Sequence, residues 1–214
     1  MGNRPLSDYP QSVQDAVAAT RFRVCDLHAE LPRWELVVWT AGNVSERVIV
    51  NEDGTPGTND LIVIKPSGVS YDELTPEAMV VYENMDHIGG VVHTHSSYAT
   101  AWAARGEEIP CGLTMMADEF GGPVPVGPFA IIGDDSIGRG IVETLRDSRS
   151  PAVLMQNHGP FTVGKDGRSA VKAAVMVEEV AKAMRLARQL GDPLPIPQES
   201  IDQLNNRYQN VYGQ

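Results

Sequence analysis

Two histidines stand one residue apart at the end of an apolar run in GGVVHTHSSYATAWAARG, residues 89–106. Side chains alternate faces along a strand, so an extended GGVVHTH projects His93 and His95 to one side and Val92 and Thr94 to the other. The run passes at once into SYATAWAAR, small residues closed by Gly106, which predicts a short helix. A strand that ends in two imidazoles and turns straight into a helix leaves those rings at a sheet end. PAVLMQNHG, residues 151–159, repeats the arrangement, with His158 between an apolar strand and a glycine. Each histidine on its own reads as a satisfied polar residue of a core. Three in matching contexts read either as satisfied polar residues or as a ligand set, and three neutral imidazoles suit Zn²⁺ or another borderline divalent ion while leaving positions open. His28 and His87 lack such contexts and are assigned no chemistry.

The rest of the chain alternates helices and strands without regular βαβ units. QSVQDAVAATRFRVCDLHAEL (11–31) predicts a helix ended by Pro32, ELVVWT (35–40) a strand, and AGNVSE (41–46) a turn. NEDGTPGTND (51–60) is an exposed loop, and LIVIKP (61–66) a buried strand stopped by Pro66. TPEAMVVYENM (75–85) opens like a helix, with a Thr N-cap followed by proline. Residues 110–132 read as loops and strands, and DDSIGRGIVETLRD (134–147) as a capped helix rather than a nucleotide-binding loop. RSAVKAAVMVEEVAKAMRLARQLG (168–191) is the longest helix, followed by an extended PLPIP and a short final helix. The expected architecture is α/β: one three-layer domain over residues 1–214, with a central mixed, mainly antiparallel sheet between helix layers.

Bulk properties exclude several function classes. The formal net charge of −11 gives no positive surface for nucleic acid, and no run of Lys or Arg supplies one locally. No apolar run reaches the roughly 18–20 residues that span a bilayer. Cys25 and Cys111 fit no metal or redox spacing, and no apolar leader is evident, so the expectation is free thiols in a cytoplasmic protein.

GNVS (42–45), KPSG (65–68), GGVVHTHS (89–96), MADEF (116–120), NHG (157–159) and YGQ (212–214) occur in this order. The ordered set resembles the class II aldolase/epimerase family over nearly the whole chain. The resemblance implies a zinc ion held by His93, His95 and His158. It implies a homotetramer with active sites between subunits, acting on a small-molecule sugar phosphate. Gly42 and Asn43 match a loop that contacts substrate, and Ser67 and Gly68 a turn that helps hold phosphate. Lys65 matches a lysine near the substrate's polar groups. Thr114 and Asp118 match the acid–base loop, with Asp118 as one proton carrier, and Tyr212 matches a C-terminal tyrosine that serves as the other.

The implied reaction interconverts L-ribulose 5-phosphate and D-xylulose 5-phosphate at C4. A carbon that bears a hydroxyl but is not next to a carbonyl cannot be epimerised by simple deprotonation. The resemblance implies a way around this, in which the C3–C4 bond is broken, the aldehyde fragment turned, and the bond remade, with one acid–base group on each face. A divalent ion stabilises the charge on the fragment left behind. The alternatives are an aldolase of the same family that cleaves L-fuculose or L-rhamnulose 1-phosphate, and a non-catalytic scaffold. One departure stands out: the resemblance implies a Ser-Ser-Asp or Ser-Ser-Glu segment between Gly68 and His93, and the sequence has none. Every other motif survives, so the reading is a stretch omitted near Val81–Tyr82; a true loss would put phosphate affinity in doubt. A histidine often found near the family's C-terminus also has no counterpart.

Overall fold

The computed structural model describes residues 5–57, 59–65, 78–79, 85–131 and 136–212, residues 78, 79 and 212 by backbone alone. Ser67, Gly68, the Val81–Tyr82 junction and the Tyr212 side chain lie outside the described residues. Helix α1 (Gln11–Arg33) carries Pro32 in its last turn, so the chain leaves the helix at Trp34 rather than at the proline. Strands β1 (Asn43–Val48), β2 (Leu61–Ile64), β3 (Ala78–Met79) and β4 (Gly90–His93) follow. Then come α2 (Ser97–Arg105), α3 (Thr114–Phe120), β5 (Val126–Gly127), α4 (Ser136–Leu145), β6 (Ala152–Met155) and β7 (Gly159–Gly164). Helices α5 (Gly167–Leu190) and α6 (Gln198–Arg207) close the chain, with a π-helical turn at Tyr208–Tyr212.

The described strands form one seven-stranded sheet in the order β3-β2-β1-β4-β7-β6-β5. All neighbours are antiparallel except β5 and β6. Alternation along the strands divides the core. Val44, Val92, Ala152 and Leu154 face α1, α2, α3 and α5, while Val91, Val153, Met155, Phe161 and Val163 face α4. This is the expected three-layer arrangement around a mainly antiparallel sheet. Among the described residues no helix is long and apolar enough to cross a membrane.

Four local expectations are overturned. ELVVWT is not a strand: Glu35 and Trp39 adopt left-handed backbone (φ 56° and 58°), and the Leu36 N–H turns back to the Leu31 carbonyl at 2.9 Å. The strand begins instead within GNVS, where Gly42 (φ 79°) makes the bend and Asn43 enters the sheet opposite His93. Residues 114–120 form α3 rather than loop, because Met116, Ala117 and Phe120 recur at helical spacing and bury together. Of TPEAMVVYENM, Ala78–Met79 pair with β2 as a strand, and most of the remainder lies outside the described residues.

The Gly89-Gly90 pair has a packing cause. A Cβ at Gly90 would stand 2.4 Å from the backbone of Asp166 and Gly167, where α5 begins, and backbone cannot swing aside as a side chain would. Gly90→Ala is therefore expected to cost on the order of 1–3 kcal/mol or more, seen as a lower urea midpoint. A midpoint equal to that of the wild type would show that β4 and the start of α5 separate easily.

Candidate metal centre

The site is assembled where β4 and β7 pair. His93 lies opposite Phe161 in that register, and the two rings stack with centroids 4.0 Å apart and planes 10° from parallel. The Nδ1 of His93 lies 3.1 Å from the Pro160 carbonyl oxygen. A proton on Nδ1, donated there, leaves the Nε2 lone pair free, and Nε2 faces the Nε2 of His95 at 2.9 Å. His95 is held by its backbone, whose N–H donates to the Leu36 carbonyl at 3.2 Å.

Immediately after the pair, α2 begins without a side-chain cap from Ser96. Its first turn is capped from across the core by Glu178 of α5, whose carboxylate accepts the N–H groups of Tyr98 and Ala99 at 2.9 Å each. A carboxylate at a helix N-terminus meets unsatisfied N–H groups and the positive end of the dipole. Glu178 thus fixes the direction in which the chain leaves His95.

His158 arrives from the turn between β6 and β7. Asn157 takes the left-handed conformation (φ 58°) that asparagine tolerates, and its N–H donates to the Ala103 carbonyl at 3.0 Å. The His158 N–H closes back on the Met155 carbonyl, also at 3.0 Å. Gly159 is required by close approach, since a Cβ there would lie 2.8 Å from the Thr94 carbonyl.

The three imidazoles offer nitrogen atoms that all lie within 4.8 Å of one another. Ring centroids are 4.6, 4.7 and 5.4 Å apart for the pairs 93–95, 93–158 and 95–158. Burial pushes all three below the ordinary histidine range, His93 to about 3, with the neighbouring imidazoles adding to the effect at His93 and His158. Three unprotonated, converging nitrogens are what a borderline divalent ion needs, and metal binding displaces no proton from them near neutral pH. The donor set fits a divalent metal ion.

The other candidate residues are placed as follows. Asn43 is adjacent to the cluster through its register with His93, and Gly42 makes the bend that brings it there. Lys65 is buried, and its Nζ donates to the Thr40 carbonyl at 2.9 Å, so it braces the loop that carries Gly42. Burial lowers its pKa. Thr114 and Asp118 lie one turn apart on the outer face of α3, away from Met116 and Phe120. Asn205 of α6 donates to the Asp118 carbonyl at 2.9 Å, which ties α3 to the element leading to Tyr212. Among the described residues no hydrogen bond or ion pair joins Asp118 to the histidine cluster. Sequence reasoning missed Phe161 and Glu178, whose partners are distant along the chain and leave no local pattern.

Comparison with known proteins gives a consistent picture. A family model described as class II aldolase and adducin N-terminal domain matches residues 22–84 and 79–184. The two matches overlap at 79–84. The chain is 37% identical over 205 aligned residues to the L-ribulose-5-phosphate 4-epimerase UlaF of Salmonella paratyphi C (strain RKS4594), covering 80% of this chain and 86% of that protein. The protein of the same description from Salmonella choleraesuis (strain SC-B67) matches to the same extent. Among solved structures, an L-fuculose 1-phosphate aldolase superimposes with a TM-score of 0.78 at 22% identity, over 89% of this chain and 96% of that one. The L-fuculose 1-phosphate aldolase from Glaciozyma antarctica PI12 gives 0.68 at 16% identity, over 97% and 85%. At these identities the structural likeness is one of fold.

His95→Ala removes one of three nitrogen donors. Bound zinc, measured by elemental analysis after dialysis, is expected to fall from one equivalent to well below it with the fold retained; a full equivalent would refute the triad. A second expectation concerns the metal-free protein. His93 and the buried His28, the latter held near 4 by burial, bind protons less readily folded than unfolded. Their contribution is complete above pH 6.5 and is lost as the pH falls from there toward about 4 for His28 and about 3 for His93. Urea unfolding of chelated protein at pH 7 and pH 5 should differ by on the order of several kcal/mol. A flat profile would show that these rings are already protonated or solvent-relaxed.

Proposed function

Because the chain belongs to the class II aldolase and adducin N-terminal domain family, we propose that it is a zinc-dependent enzyme interconverting L-ribulose 5-phosphate and D-xylulose 5-phosphate at C4. The observation that carries this reading is the 37% identity to the UlaF epimerases over most of both chains, joined to the three-histidine cluster. His93, His95 and His158 hold the divalent ion, which when bound supplies Lewis-acid stabilisation of negative charge on substrate oxygens.

The chain's own residues handle protons and position. One of Asp118 and Tyr212 takes the proton from the C4 hydroxyl as the C3–C4 bond breaks. The bonding electron pair stays on the C1–C3 fragment as an enediolate, and C4 becomes the carbonyl carbon of glycolaldehyde phosphate. That aldehyde turns over, C3 attacks its opposite face, and the other residue returns a proton to the C4 oxygen. Atoms and charge balance, with no external oxidant or reductant. Gly42 and Asn43 contact the substrate, and Ser67 and Gly68 hold its phosphate through backbone N–H groups and the Ser67 hydroxyl, so that the aldehyde turns instead of escaping. Lys65 braces this loop and adds positive charge beneath it. Thr114, one turn before Asp118, orients the acid–base face.

In this reading residues 1–214 act as one domain in a cytoplasmic homotetramer, with Asp118 and Tyr212 serving a neighbouring subunit's metal centre. Two observations support shared sites: no hydrogen bond or ion pair joins Asp118 to the histidines within the described residues of one chain, and the loop beside Asn43 exposes Trp34, Val38 and Trp39 (53, 76 and 88%). Exposed aromatic and aliphatic groups clustered on one loop mark an interaction surface.

Purified zinc-loaded protein is expected to convert L-ribulose 5-phosphate to D-xylulose 5-phosphate, and Tyr212→Phe to keep its metal and oligomeric state while losing most turnover. Cleavage of L-fuculose or L-rhamnulose 1-phosphate, without epimerisation, would make the protein an aldolase. Absence of turnover on all three sugar phosphates would leave a scaffold role.

A further inference from the structure

We propose that His28 is a positioning residue for the substrate loop: its imidazole, clamped between the Val24 carbonyl and the Val44 amide, sets where Gly42 and Asn43 stand relative to His93. His28 is fully buried on the inner face of α1. Its Nδ1 lies 2.7 Å from the Val24 carbonyl oxygen, one helical turn back, and its Nε2 accepts the Val44 N–H at 2.9 Å. A carbonyl can only accept, so the proton sits on Nδ1 and the Nε2 lone pair is committed to the strand. This is a fixed tautomer of an uncharged ring, and burial keeps it uncharged.

The sheet explains why a side chain is needed there. The Arg47 N–H donates to Gly89 on the β4 side, so by alternation the N–H of Val44 points to the β2 side. Pairing with β2 ends at Ser45↔Ile64, one residue short of Val44. His28 supplies the acceptor that β2 ceases to supply, at the residue next to Asn43. Val44 is itself fully buried, so its N–H has no access to water as a substitute. Beyond Asn43 the loop is braced a second time, by Lys65 on the Thr40 carbonyl. Two buried nitrogen groups thus hold both ends of Thr40–Val44. The role in substrate binding rests on the function proposed above; the clamp itself rests on the hydrogen bonds.

The test compares His28→Leu, which fills the space without an acceptor, with His28→Gln, whose amide oxygen can reach the Val44 N–H. Each is loaded with zinc and assayed on L-ribulose 5-phosphate, with amide hydrogen exchange read at residues 40–44. His28→Leu is expected to bind one zinc, to lose protection at Val44, and to raise KM about tenfold, the equivalent of one hydrogen bond, with a smaller change in kcat. His28→Gln is expected to restore both the protection and the KM. Wild-type KM and protection in the Leu variant would overturn the proposal, as would a Gln variant that behaves like Leu. If the Leu variant does not fold, the Gln variant decides alone, through slow exchange at Val44 for the clamp and fast exchange against it. Should the wild type turn over no sugar phosphate, the functional reading fails, while exchange at Val44 still decides the clamp.

Discussion

The antiparallel pairing of β4 with β7 is the constraint on which the site depends. It sets His93 against Phe161, brings Pro160 to the Nδ1 side of His93, and delivers the turn that carries His158 to the same end of the sheet. A slip of one residue would send His93 to the opposite face, among α1 and α5, and break the stack with Phe161. The register is protected by burial on both faces, since Val91 and Val92 pack into different cores. Two glycine contacts then fix how closely neighbouring segments approach: Gly90 under the start of α5, and Gly159 against the Thr94 carbonyl.

Around that pairing, polar groups far away in sequence set local direction. Glu178 starts α2 and so determines how the chain leaves His95, and the Leu36 carbonyl holds the His95 backbone. These restraints converge on the same few residues from α5, from the loop after α1 and from β7. A metal centre needs this kind of support, because ligand rings that rotate or shift lose much of their affinity. The arrangement also bears on the charge problem. A chain of net charge −11 repels an anionic sugar phosphate over most of its surface. The buried Lys65 provides local positive charge, and a bound divalent ion would add the largest local charge.

Much of the fold was legible because it is written in local patterns. The helices at 11–33, 97–105 and 167–190 follow apolar periodicity and small-residue composition, and the strands before His93 and His158 are short apolar runs ended by polar turns. The histidine triad was legible for the same reason: His93 ends such a strand, His95 follows it by two residues, and His158 lies in the turn after another. What escaped is governed by tertiary contact. ELVVWT has the composition of a strand, but the Leu36 N–H is claimed by the end of α1 and the Leu36 carbonyl by His95. GNVS has turn-forming residues, yet β2 and β4 on either side draw Asn43–Val48 into the sheet. Phe161, Glu178 and His28 act on partners 16 to 80 residues away in sequence or through a strand register, and a single histidine on a helix carries no sign of the amide it will meet.

The central claim is that His93, His95 and His158 form one divalent metal site open to a sugar phosphate. Titration of metal-free protein with Co²⁺, followed by visible absorption, tests it most directly, because d–d bands report ligand number and geometry without reference to turnover. The account predicts saturation at one equivalent, with bands of a low-coordinate, nitrogen-ligated ion that shift when L-ribulose 5-phosphate is added. Saturation with bands that ignore the sugar phosphate would contradict the proposed substrate, and the absence of any saturable band would contradict the metal centre itself.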